Sequence, residues 1–158
     1  MKRFLALLLA AALAACGPDP VDPHAGHDHG PGGTHDHAHV HSAPRGGVLV
    51  VLSEERVNME LLADPETGHL SALVLGAHAE KAVRIAQETI ALTIEVGGET
   101  HQVELPAVAS ELTGETVGDT SEFAAEIPVL KGVGTFEGSI ASVTVRGETY
   151  TDLAFTYP

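Results

Sequence analysis

Sulfur-containing residues are almost absent from this chain. Cys16 is the only cysteine, and Met59 is the only methionine after Met1. A single cysteine excludes a disulfide within the chain and leaves no cysteine ligand for a metal site in the domain that follows it. A blue-copper centre needs a cysteine thiolate beside two histidines, and a thioether site for Cu(I) needs clustered methionines. Both kinds of copper site are therefore excluded.

Basic residues and enzyme motifs are also lacking. Lysine and arginine number 8 against 22 aspartates and glutamates, a formal net charge of −14 at pH 7. Proteins that bind nucleic acid are basic, so this balance argues against a nucleic-acid partner. The chain contains no His-Glu-x-x-His zinc motif, no Gly-x-Ser-x-Gly nucleophile turn and no glycine-rich phosphate-binding loop. We therefore expect that the protein is not an enzyme.

The first sixteen residues have the pattern of an export signal. Lys2 and Arg3 form a charged start, residues 4–12 an apolar centre, and Leu13-Ala14-Ala15-Cys16 the end. The apolar run is too short to cross a bilayer as a mature helix. The last four residues resemble the lipobox of bacterial lipoproteins. That resemblance implies that residues 1–15 are a signal peptide and that Cys16 is acylated and anchors the protein to a membrane.

The residue after the cysteine adds a location to this expectation. Gly17 replaces the aspartate that, in lipoproteins, favours retention at the inner membrane, so the resemblance implies the outer membrane, facing the periplasm of the bacterial envelope. Loss of Lys2 and Arg3 with the signal would lower the basic residues from 8 to 6 and change the net charge from −14 to −16. Divalent cations would be concentrated near such an acidic surface.

Residues 24–41 are dominated by histidine. The other residues are small, apart from Asp28, Asp36 and Val40, and have no apolar period, so we expect residues 16–44 to be a disordered tether. Imidazole suits zinc, copper and nickel. The mostly His-x-His spacing lets a flexible chain place several rings around one ion, with Asp28 or Asp36 as oxygen donors. The sequence therefore predicts loosely held divalent transition metal ions, and the histidine ligands are His24, His27, His29, His35, His37, His39 and His41.

Two other interpretations of this tract stay open. It would also serve as a polar spacer between the membrane and the domain. Because histidine titrates near pH 6.5, seven rings would in addition make a spacer whose charge responds to pH.

Residues 45–158 have the pattern of an antiparallel β-sandwich, which we expect to be immunoglobulin-like or cupredoxin-like. Turn residues at 64–68, at Gly97-Gly98 and at 146–148 separate short apolar or alternating runs. The run at 57–64 has the alternation of a half-buried strand, with Asn58 and Glu60 on the polar side. With four phenylalanines and two tyrosines, the core must depend on aliphatic residues. The strands are predicted at residues 48–52, 57–64, 70–75, 90–96, 103–105, 123–127, 140–145 and 149–157.

Three further histidines lie inside the predicted domain. His69 begins a strand directly after a turn, His101 lies on the return strand after Gly97-Gly98, and we expect both to be ordinary surface residues. His78 lies in a short segment, at 77–82, that is predicted as a crossover loop or one helical turn. If that loop lies near the start of the domain, His78 and Glu80 are additional candidate metal ligands beside His41.

The junction between the tract and the domain resembles a group of small bacterial envelope proteins. The similar residues are Ala43-Pro44-Arg45-Gly46-Gly47-Val48, residues 57–61 and the turn at 64–68. In that group a histidine-rich segment runs into a β-domain that begins Pro-His-Gly-Gly, and related segments occur on periplasmic adaptor subunits of heavy-metal efflux systems. The resemblance implies a role in handling zinc, copper, nickel or cobalt. This chain has Arg45 where the pattern has histidine, so no ordered site is expected at the edge of the domain.

Together these features predict a lipid-anchored envelope protein that binds or buffers divalent transition metals through its histidine tract, alongside a metal efflux or uptake system. The alternative is a structural or interaction module in which the sandwich binds another envelope protein and the tract only spaces it from the membrane.

Overall fold

The structure, a computed structural model, describes residues 42–53 and 56–158. These residues belong to the second of two compact units into which the chain divides, His39–Pro158. Among them, no helix is both long enough and apolar enough to cross a membrane. One 3₁₀ turn, Pro128–Leu130, follows the sixth of eight strands. The strands are β1 Val48–Ser53, β2 Val57–Asp64, β3 His69–Gly76, β4 Thr89–Val96, β5 Glu99–Pro106, β6 Glu122–Glu126, β7 Phe136–Val145 and β8 Glu148–Tyr157.

The strands form two antiparallel sheets of four, which confirms the predicted β-sandwich. The first sheet has the order β1-β2-β3-β6 and the second the order β5-β4-β7-β8. Strands that follow each other in the chain form four antiparallel pairs, β1–β2, β2–β3, β4–β5 and β7–β8. A long connection after β5 carries the chain back to the first sheet as β6, which pairs with β3.

The β2–β3 hairpin shows how its turn sequence fixes the register. The Asp64 carboxylate accepts hydrogen bonds from the Glu66 backbone N–H at 2.9 Å and the Thr67 hydroxyl at 2.8 Å. These bonds, the Thr67 bond foremost, hold the pKa of Asp64 below its usual value. Gly68 has φ +75°, and a Cβ there would lie 2.7 Å from the Ile127 carbonyl oxygen. The turn therefore needs glycine for both its backbone angle and its space.

The core between the sheets is mainly aliphatic, as the small number of aromatic residues predicts. Three phenylalanines, Phe123, Phe136 and Phe155, are also buried there. The Phe136 ring meets Phe155 edge to face at 6.0 Å and stacks on Tyr157 at 5.0 Å. The Tyr157 hydroxyl accepts a hydrogen bond from the Ala63 backbone N–H at 3.0 Å, which ties the last strand of the second sheet to β2 of the first.

The segment at residues 110–120 is a loop fixed by polar contacts. The Glu115 carboxylate accepts hydrogen bonds from the Ser121 hydroxyl and from the Thr113 hydroxyl. Arg84 donates to Asp119 at 3.1 Å and to the Thr113 carbonyl oxygen. These contacts hold the loop in one conformation although it has few buried side chains.

Two strands begin earlier than predicted, and a third strand is more deeply buried. β5 begins at Glu99 and β7 at Phe136, each four residues before the predicted starts at residues 103 and 140. The segment at 77–82 is a loop, one of its two predicted alternatives, and it returns beside β3, where the Gly76 N–H donates to the Lys81 carbonyl oxygen at 2.8 Å. The polar side of β2 is not exposed, since Asn58 is 2% and Glu60 0% accessible. The prediction of a half-buried β2 was therefore wrong, because other segments of the chain cover its outward face.

Candidate functional site at the junction of the tract and the sheet

A buried carboxylate lies where the chain enters the β-domain. Glu60 points outward from β2, away from the core, and accepts backbone N–H bonds from Arg45 at 2.7 Å and from Gly47 at 3.1 Å on the same oxygen. Its other oxygen pairs with the Arg45 Nε at 3.1 Å. A fully buried carboxylate needs such partners, because an unpaired charge in the interior is strongly unfavourable.

Arg45 connects this carboxylate to a second strand. Its Nη1 lies 2.7 Å from an oxygen of Glu122 on β6, while its side chain remains 30% exposed. Glu60 on β2 is level with Leu73 on β3, which is level with Glu122 on β6. The guanidinium group therefore spans the width of β3 and joins two glutamates on the outward face of the first sheet.

A glycine allows the entering segment to lie against the sheet. A Cβ on Gly47 would be 2.1 Å from the Leu61 carbonyl oxygen, so no larger residue fits there without moving the backbone. Close contact places the Arg45 and Gly47 N–H groups above Glu60. The Arg-Gly-Gly sequence at 45–47 thus supplies one cation and two N–H donors, and the missing side chain of Gly47 lets the segment come close enough for these groups to reach Glu60.

The loop after β3 approaches the same face. Asn58, two residues before Glu60 on β2, donates from its side-chain amide to the carbonyl oxygens of Gly76 at 3.0 Å and Ala77 at 3.1 Å. His78 and Glu80 follow directly and are exposed. The sequence analysis made His78 and Glu80 candidate ligands only if this loop lies near the start of the domain. The loop and the entering segment do contact neighbouring outward residues of β2, Asn58 and Glu60.

The remaining two domain histidines have different surroundings. His69 is exposed at the start of β3, as expected for a surface residue. His101 is half-buried on β5, where its Nε2 is enclosed and has no hydrogen-bond partner among the described residues. The expectation of an ordinary surface residue was therefore wrong for His101, because the residue lies opposite Ile94, on the core side of its strand.

The predicted metal ligands of the tract, His24 to His41 with Asp28 and Asp36, lie outside the described residues, as does the predicted lipidation site Cys16. Within residues 42–53 and 56–158, no three histidine, cysteine, aspartate or glutamate side chains come together as ligands for a metal ion. The Arg45–Glu60–Glu122 cluster was not predicted. A glutamate flanked by Met59 and Leu61 in β2, after an Arg-Gly-Gly entry, is the signal that would have indicated it.

Comparison with known proteins adds no family to this description. The chain matches no protein-family model, no curated protein and no solved structure.

Proposed function

We propose that the protein is a lipid-anchored component of a bacterial envelope that binds and buffers divalent transition metals, such as zinc, copper or nickel, through residues 24–41. The observation that carries the proposal is the density of imidazoles, seven in eighteen residues, among residues that are mostly small. Cys16, in its lipobox-like sequence, is the proposed point of attachment to the membrane.

The junction supports a division of labour between the tract and the domain. His41 lies only four residues before Arg45, and Arg45 is fixed to Glu60 and Glu122 by the contacts described above. We assign metal capture to the tract, with His78 and Glu80 as secondary ligands, and presentation to an efflux or uptake partner to the sandwich.

The test is a calorimetric titration of the full chain with zinc, copper and nickel, compared with a chain in which residues 24–41 are replaced by a glycine-serine segment of equal length. The proposal predicts that the full chain binds several ions at pH 7.5 and that binding collapses below about pH 6, because protonated imidazole does not bind metal. Equal, weak binding by both chains would contradict it.

A second function, a structural or interaction module, is favoured by one observation on the folded domain. Leu112 is 99% exposed and Val117 58% exposed on a loop that Arg84 and Glu115 hold in place. A loop that is already ordered loses less conformational entropy when a protein partner contacts its exposed side chains. If the glycine-serine replacement leaves metal binding unchanged, this function is the one that remains.

A further inference from the structure

The outward faces of the two sheets differ in their exposure. On the first sheet, the entering segment and the loop after β3 bury Asn58 and Glu60. On the second sheet, the outward positions are open, and they carry only small or polar side chains. Those that are exposed at the centre and on both sides are Glu95, Thr100, Gln102, Glu104, Glu137, Ala154 and Thr156.

Two glutamates on this open face oppose each other. Glu95 on β4 and Glu137 on β7 are direct partners in the register of neighbouring strands. Neither carboxylate has a hydrogen bond or an ion pair with any described residue, whereas the described ion pairs use Glu60, Glu115, Glu122, Glu148 and Asp119. Like charges directly opposite each other destabilise a sheet. The fold therefore keeps an arrangement at this position that lowers its own stability.

No positive charge lies among the strands to offset this pair. The four strands of the second sheet contain no lysine or arginine. The strands of the first sheet also lack both residues, but there Arg45 reaches over the face from the entering segment and pairs with its glutamates. The described residues provide no such cation over Glu95 and Glu137, whose exposed carboxylates are left to solvent.

Glu95 and Glu137 lie between two shallow depressions on this face. The larger, about 520 Å³, has Thr93, Ser139 and Ala154 in its lining, and the smaller, about 260 Å³, includes Phe136 and Tyr157. Glu95 and Glu137 line both. A long side chain with a cationic end fits such a surface, because its aliphatic stem lies in a depression while its charge meets the two carboxylates.

We propose that the outward face of the second sheet binds a basic polypeptide segment, whose lysine or arginine side chains pair with Glu95 and Glu137. Charge complementarity identifies the partner: the face is acidic, its small residues allow close approach, and it lacks a cation of its own. The residues of this surface are different from those of the histidine tract, so the inference does not depend on metal binding.

The experiment titrates the full-length chain, in EDTA, with a twelve-residue peptide of alternating lysine and serine, and follows backbone amide shifts by NMR. We expect the shifts to concentrate around Thr93, Ser139 and Thr156, and the binding to weaken as salt is added. The double variant Glu95→Gln/Glu137→Gln should bind about five-fold more weakly, the size expected when two exposed ion pairs are lost. It should also unfold at a higher temperature than the natural chain, because the repulsion is gone.

The matched control is the double variant Glu66→Gln/Glu111→Gln, which removes two exposed carboxylates from a turn and a loop elsewhere. It should bind the peptide as the natural chain does. Equal weakening in both variants, or shifts spread over all acidic residues, would show only attraction to net charge and would overturn the proposal. A requirement for a divalent ion, or a lower unfolding temperature for Glu95→Gln/Glu137→Gln, would overturn it as well.

Discussion

At the scale of single residues, the contacts of Arg45 matter more than its charge. Arg56 also forms an ion pair, with Glu148 at 3.1 Å, but both side chains are more than half exposed. Exposed pairs contribute little, because water competes with the partner and ordering two long side chains costs entropy. Glu60 is fully buried, so its pairing with Arg45 decides whether a charge is left unpaired in the interior.

Replacing Arg45 should therefore cost far more than replacing Arg56. We expect Arg45→Met to lower the free energy of unfolding by about 2–3 kcal/mol, since it leaves Glu60 with backbone donors alone. Arg56→Met should change it by less than about 1 kcal/mol. Urea unfolding of both variants measures the difference, and similar small losses would show that the Arg45–Glu60 pair does not stabilise the fold.

Glu115 gives a second residue-scale prediction, through pH. Hydrogen bonds from the side chains of Ser121 and Thr113 hold the pKa of Glu115 below its usual value. A carboxyl group whose pKa is lower in the folded chain than in the unfolded chain stabilises the fold at pH values above its unfolded-state pKa. That stabilisation is lost as the pH falls through its folded-state pKa. We expect Glu115→Gln to cost about 1 kcal/mol at pH 7 and progressively less towards pH 3.

Urea unfolding at pH 7, 5 and 3 measures this trend. Glu111→Gln is the control in the same loop, because Glu111 is exposed and makes no described hydrogen bond. A destabilisation by Glu115→Gln that stays constant over the pH range would be inconsistent with an ionised Glu115 as its source.

At the scale of the elements, one glycine explains how β7 and β8 pack. Gly138 faces the core, and a Cβ there would lie 2.5 Å from the Thr93 carbonyl oxygen and 2.7 Å from the Phe155 ring. We expect Gly138→Ala to destabilise the fold by about 1–3 kcal/mol, as overpacking does. Gly134→Ala, where the added Cβ meets nothing within 4 Å, is the control and should be close to neutral in thermal unfolding. Equal midpoints for the two variants would refute tight packing at residue 138.

The same glycine shows where prediction from sequence failed. Alternation located β2 and β4 well, because apolar residues fill every second position. The start of β7, Phe136-Glu137-Gly138-Ser139, offers one large apolar residue, since the ring of Phe155 on the next strand fills the space at residue 138. When a side chain from a neighbouring strand fills a core position, the strand itself needs no apolar residue there, and its apolar alternation is interrupted.

The burial of the outward face of β2 could not be predicted from the sequence either, because it also depends on residues from other parts of the chain. Alternation separates the two sides of a strand, but it does not indicate whether a second layer covers the polar side. That layer comes from residues 45–47 and from the loop after β3, which contact β2 only in the folded chain. The same holds for the candidate functional residues. The composition of the chain was enough to predict the histidine tract as a candidate metal site, whereas the Arg45–Glu60–Glu122 cluster could be found only from the folded structure.

At the scale of the whole molecule, the acidic groups of the described residues fall into two sets. The acidic groups of the junction are paired internally, while those of the second sheet are left open to solvent. Imidazole is mostly neutral above about pH 6.5, and neutral imidazole suits zinc, copper and nickel better than carboxylate does. We therefore propose that the acidic domain concentrates divalent ions and that the histidine tract binds them.

The most direct measurement counts metal ions on two full-length chains at pH 7.5. Equilibrium dialysis against zinc, followed by elemental analysis, compares the natural chain with one in which all seven histidines of residues 24–41 are changed to glutamine. The account predicts two or more zinc ions per natural chain, at about two to four imidazoles for each ion, and almost none on the glutamine chain. Equal zinc content on both chains would contradict it.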